Sequence, residues 1–156
     1  MEKTTRPAGR YLDEFAVGDI IETAGRTVTE ADIAFFAGLS GDYNPLHTNE
    51  EWARNTAMGG RIAHGLLVAS IASGLRMQSR MTEGTAIALL EICESFLAPT
   101  RAGDTVRCKI TVTEVKPSRS KPDRGIVKYD CDVINQKEQV VIHQKVSVML
   151  RRKPET

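Results

Sequence analysis

The sequence predicts an α+β fold in a single domain, with a long central helix wrapped by a curved antiparallel β-sheet. Three observations predict it. The run Ile62 to Leu75 is apolar or small almost all round and carries no charge from His64 onward, the pattern of a helix buried on every side. After Gly84 the chain changes character and alternates, with Val106, Cys108, Ile110 and Val112 falling on one face of a strand. The links between these strands are short and rich in turn residues, which argues for antiparallel neighbours. A buried helix followed by a meander is accommodated when the sheet curls around the helix. The length, 156 residues, suits one domain with a real core.

Each element follows in order. Residues 1–10 are polar with Pro7 and Gly9 and read as a flexible N-terminal arm, leaving 11–152 as the domain. Tyr11 to Val17 is an entry segment, Gly18-Asp19 a turn and Ile20 to Val28 a short strand. Thr29-Glu-Ala-Asp32 starts a helix, with Thr29 as N-cap and Asp32 beside the free first-turn N–H groups. Its inner face is Ile33, Phe36 and Ala37, and it stops near Gly41. The pattern recurs at Thr48-Asn-Glu-Glu51, opening a second short helix through Trp52 and Ala53. Met58-Gly59-Gly60 is a turn before the central helix. Strands are expected over 85–97, 105–116, 126–134 and 139–150, joined by turns at 99–104 and 135–138 and by the polar loop 117–124.

Composition excludes several functions. Net charge is +1, which exerts no global pull towards nucleic acid or a membrane. Aromatics make up 5%, too few for a base-stacking platform. No stretch has the length of a membrane span, and the N-terminus lacks the apolar run of a signal peptide. Cys93, Cys108 and Cys131 are odd in number and widely spaced. They indicate neither a disulfide framework nor a zinc site, and a reducing, cytoplasmic setting is expected.

The chemistry concentrates in Phe36-Ala-Gly-Leu-Ser-Gly-Asp-Tyr-Asn-Pro-Leu-His47. Asp and His are the side chains most used for proton transfer. Pro45 fixes its own φ and drives Asn44 towards extended geometry, so this segment is not expected to be a regular helix. A stiff link of this kind can aim Asp42 and His47 at one point. The plainer alternative is a helix-ending loop with Asp and Asn as turn formers. Gly65 falls in the first turn of the central helix, where N–H groups lack intrahelical partners and one can face an oxyanion. Close helix packing would also require a glycine. Ser70, expected to be buried, has either a carboxylate such as Asp42 or its own helix carbonyl as partner. The three histidines are not at metal-ligand spacing, so no metal is expected. His64 could line the site or cap the helix, with capping the preferred reading, and His143 reads as a structural strand residue. The basic loop with Lys116, Arg119, Lys121 and Arg124 reads as a solvated turn, with ligand phosphates as the alternative.

The run Phe36 to Ala53, FAGLSGDYNPLHTNEEWA, resembles the signature of MaoC-like dehydratases, the (R)-specific enoyl-CoA hydratases. That signature has an aromatic, then Ser-Gly-Asp-x-Asn-Pro-aliphatic-His, then a small residue six positions on, and each position matches. GGRIAHGLLVAS (59–70) and FLAPTRAGD (96–104) are similar to the family too, so the resemblance spans residues 11–150. It implies a hot-dog fold, pairing of copies edge to edge as a homodimer or higher oligomer, and reversible syn hydration of a trans-2-enoyl-CoA. By position it implies Asp42 and His47 as the catalytic pair, Gly65 N–H as oxyanion donor and Ser70 as a supporting serine. Asn44 would orient the loop or bind the water. It implies no cofactor, coenzyme A being part of the substrate. Two other roles are compatible with such a fold: an acyl-CoA thioesterase and a non-catalytic acyl-CoA-binding subunit.

Overall fold

The computed structural model describes residues 7–154. A single turn of 3-10 helix at Leu12–Glu14 leads to strands β1 (Ile20–Glu22) and β2 (Arg26–Thr27) and helices α1 (Glu30–Ser40), α2 (Pro45–Thr48), α3 (Glu50–Arg54) and α4 (Gly65–Gln78). Strands β3 (Ala86–Phe96), β4 (Thr105–Pro117), β5 (Arg124–Asn135) and β6 (Val140–Arg151) follow. All pairings are antiparallel, in the order β1-β4-β5-β6-β3, with β2 also on β4. The helix-then-meander reading holds.

The core forms between the sheet and one face of α4. Val106, Cys108, Ile110 and Val112 of β4 are all buried, as the alternation required. They meet Leu67, Val68, Ile71, Ala72 and Leu75 of the helix, and the Cys108 thiol donates to the Ala72 carbonyl. Hydrogen bonding with Cys131 and burial push the Cys108 thiol far up from its ordinary value, so it is an inert packing group. Arg76 is the charged residue of this face. It donates to Gln144, which is fully buried and donates in turn to Glu94.

The expectation that α4 is buried on every side is corrected. Leu66, Ser70, Ser73, Gly74 and Met77 form an exposed row at helical spacing. One sheet layer covers one face of a helix, and an apolar opposite face can be read from sequence only as apolar. The strand expected over 20–28 is also corrected, because it breaks between Glu22 and Arg26. There the Thr23 N–H still donates to the Cys108 carbonyl, but the Cys108 N–H is taken by Thr23 Oγ and not by a main-chain carbonyl. Of the expected N-terminal arm, residues 1–6 lie outside the described residues. Gly9 and Arg10 are tied down, their N–H groups donating to the carbonyls of Glu83 and Met81. Among the described residues no helix is long and apolar enough to cross a membrane.

Candidate active site

The capping reading explains how the site is carried. Thr29 Oγ accepts from the Asp32 N–H, and the Asp32 carboxylate accepts from the Thr29 N–H, a complete capping box that starts α1. Gly41 ends the helix in the left-handed region, at φ 77°, where a residue with a Cβ would be strained. The chain thus turns sharply into Asp42.

The next segment departs from expectation. Pro45–Thr48 is itself one helical turn, so His47 sits on a helix and not in an extended link. The physical reason is local. Proline is well placed at the first helical position, where its missing N–H costs nothing, and Asn44 Oδ1 caps the turn by accepting from the Leu46 N–H. Asp42 Oδ1 accepts from the Asn44 N–H. The cap of α3 is Asn49, whose Oδ1 accepts from the Trp52 N–H, and not Thr48.

His47 Nδ1 lies 2.8 Å from the Ile62 carbonyl. A carbonyl only accepts, so Nδ1 carries the proton and Nε2 presents its lone pair. A carboxylate oxygen of Asp42 and ring nitrogens of His47 and His64 all lie within 4.8 Å of one another. The two residues singled out in sequence do converge, and a third joins them. His64 is at the cap position of α4 but makes no side-chain cap bond, which corrects its reading as a cap. Its Nε2 donates to the Asp42 main-chain carbonyl at 2.9 Å. Sequence spacing concealed this cluster, because position 64 is reached through the fold.

Three such donors are chemically able to hold a metal ion. The His47 and His64 rings face one another, with centroids 3.9 Å apart and planes tilted by 31°.

Beside His47 lies a cavity of about 470 Å³. His47 and Gly65 line it, with Leu66, Val68, Phe96 and Ile142 among its apolar wall. Gly65 is the first residue of α4, so its N–H has no acceptor within the helix. A Cβ there would stand 2.7 Å from the Phe96 ring. Sequence reasoning met Phe96 only as the start of the family-like run 96–104 and did not pick out Ile142. Their strands were legible, but not which end would face the helix N-terminus. Ser70 is exposed, not buried, and its hydroxyl donates to the Leu66 carbonyl at 2.7 Å. Of the partners open to it, the helix carbonyl is the one it takes. His143 pairs with Asp132 across β5 and β6, as a structural residue would.

The loop over the site is braced by charge. Arg61 is paired with Glu30 and Glu50, and Arg101 donates to the carbonyls of Arg61 and Met58. The Arg61 main-chain N–H, ahead of its guanidinium, holds the Glu50 carboxyl below its ordinary value.

A family model described as the MaoC like domain matches residues 14–134. The chain belongs to the MaoC-like dehydratase family. Among related MaoC-like proteins, the (R)-specific enoyl-CoA hydratase of Rhodospirillum rubrum is 39% identical over 109 residues, covering 70% of this chain and 74% of that one. The 3-hydroxybutyryl-CoA dehydratase of Methylorubrum extorquens is 34% identical over 111 residues, with 71% and 69% covered. A crystal structure of the MaoC-like dehydratase from Rhodospirillum rubrum superposes with a TM-score of 0.84 at 36% identity, covering 94% of this chain and all of that one. The fold is the hot-dog fold of this family.

Proposed function

We propose that this MaoC-like protein catalyses reversible syn addition of water to a trans-2-enoyl-CoA, giving an (R)-3-hydroxyacyl-CoA. The observation that carries the reading is the meeting of the Asp42 carboxylate with His47 beside an apolar cavity that Gly65 also lines. The names of the two relatives agree with it.

The chemistry requires three things. Water must lose a proton as its oxygen bonds the β-carbon, the α-carbon must gain a proton, and the thioester oxygen must be stabilised as it becomes enolate-like. Asp42 and His47 hold one water between them and handle both protons from one face, which makes the addition syn. The Gly65 N–H donates to the thioester oxygen, and one such donor is worth roughly 3–4 kcal/mol in the transition state. The apolar cavity takes the acyl chain. Ser70 has its proton committed to Leu66, so it contributes no donor to the dyad of its own chain. Catalysis needs no metal or redox cofactor, and coenzyme A enters with the substrate. We assign the protein to the cytoplasm, where its three free thiols stay reduced, and take its working form to be a homodimer.

The test is spectroscopic. Purified protein with crotonyl-CoA should bleach the enoyl absorbance without releasing free thiol. Asp42→Asn should keep its fold and lose roughly 1,000-fold or more in kcat. Near-normal turnover by that variant would sink the mechanism, and thiol release would reassign the protein as a thioesterase.

A further inference from the structure

His64 belongs to neither the dyad nor the cavity wall, yet it touches every part of the proposed machinery. It is 2% exposed. Its Nε2 meets the Asp42 carbonyl, its ring lies on the His47 imidazole, and the next residue is Gly65. Phe36 closes the other side, with ring centroids 5.1 Å apart. Packing alone would be served by a phenylalanine or leucine. A buried imidazole is a costly way to fill space, the more so because His64 Nδ1 has no hydrogen-bond partner.

The hydrogen bonds explain why the site keeps it. Segments 42–47 and 62–65 exchange three of them. His64 of the second donates to the Asp42 carbonyl of the first, and His47 of the first donates to the Ile62 carbonyl of the second. The Ile62 N–H donates to the Leu46 carbonyl between them. The two side-chain bonds run in opposite directions, and the stacked rings lie between them. Asp42 is otherwise an exposed loop residue, and its own side-chain bond reaches only two residues along the chain. The link from Asp42 to the helix that carries Gly65 is His64.

We propose that His64 is the positioning residue of the Asp42/His47 pair. Its Nε2–H fixes the Asp42 main chain and its ring face fixes the His47 imidazole, setting both at a constant offset from the Gly65 N–H. This rests on the hydratase reading for its kinetic consequence, but the positional claim can be tested without turnover.

Two variants separate the contributions. His64→Phe keeps a flat ring and removes the donor, and His64→Gln restores an N–H near the Nε2 position without a ring. With crotonyl-CoA, His64→Phe should lose roughly 100-fold in kcat, the scale expected of a small misplacement. KM should stay within about threefold, since ground-state binding is untouched. His64→Gln should recover part of that loss. Nitrogen-15 NMR of the imidazoles gives the second readout. Wild-type His47 should hold a single Nδ1–H tautomer, and His64→Gln, which lacks the ring face, should turn it into a mixture. Wild-type kcat in a folded His64→Phe would overturn the proposal, as would an unchanged His47 tautomer in His64→Gln. If His64→Phe does not fold, His64→Gln is compared with His64→Asn, whose amide is too short to reach the Asp42 carbonyl. Gln must then be the more active, and equal activities would overturn the proposal. If the wild type hydrates no enoyl-CoA, the hydratase reading falls, and the His47 tautomer alone decides the inference.

Discussion

Gly65 is a glycine for a reason that can be measured. A Cβ at this position would stand 2.7 and 2.8 Å from two carbons of the Phe96 ring, closer than side-chain carbons pack. Phe96 is half-exposed and lines the cavity, so it is the partner that would yield. In Gly65→Ala the ring should swing into the space proposed for the acyl chain, and kcat/KM with crotonyl-CoA should fall by roughly 10–100-fold. Phe96→Ala should relieve part of that loss. The double variant should depart from additivity by about 0.5–3 kcal/mol, as residues in contact do. Strictly additive effects would mean that the methyl acts on the thioester oxygen directly and not through Phe96. At this scale the sequence was most legible where chemistry and local geometry coincide. Asp42, Asn44 and His47 lie within six positions of one another, and their roles are set by a turn they build themselves. For His64 the cap was preferred over a place beside the site because its partners are 17 and 22 positions away. Ser70 was expected to be buried because its helix looked apolar on all sides.

At the scale of elements, caps and alternation told the most. Thr29, Asp32 and Gly41 bracket α1 as their spacing required. The short helical turn α2 was missed because proline usually reads as a breaker, although at the first helical position it is a starter. The capping box of α1 also predicts a pH response. The Thr29 N–H, first among its causes, holds the Asp32 carboxyl below its ordinary value of 3.8, helped by the Thr29 hydroxyl and Arg26. A depressed carboxyl contributes stability above its unfolded pKa, and that contribution fades as pH falls through the lower folded value. Asp32→Asn should therefore cost about 1 kcal/mol at neutral pH. The gap between variant and wild type should narrow once pH drops below 3.8. Urea unfolding at a series of pH values, at fixed protein concentration, would check it. A gap that persists unchanged into acid would show that the carboxylate's charge is not what stabilises the helix start.

For the whole molecule, the open question is what covers the surface the chain leaves bare. β3 is a strand of 11 residues that, among the described residues, lies at the sheet edge and pairs only with β6. Leu89, Leu90 and Phe96 along it are 59%, 46% and 52% exposed. A long apolar edge is a hazard that folded proteins blunt with charge, proline or a covering partner. Near Leu89 and Leu90 the edge carries Glu91 and a break in register between Leu89 and Glu91, both residues stay exposed beside it, and α4 adds the exposed Leu66 and Met77. A second copy added along β3 would continue the sheet and shield both surfaces. It would also act on the site, because β3 ends at Phe96, in the wall of the cavity that Gly65 and His47 share. Placing Lys at both Leu89 and Leu90 should split the proposed dimer, since two like charges would face two others across the joined edges. Sedimentation velocity should show the wild type as a dimer and the double variant as a folded monomer at micromolar concentration. The monomer should turn over crotonyl-CoA more slowly, and its specific activity should rise with protein concentration as pairing returns. A double variant that stays dimeric would place the interface on another surface. One that is monomeric and fully active would show that the site is complete within one chain.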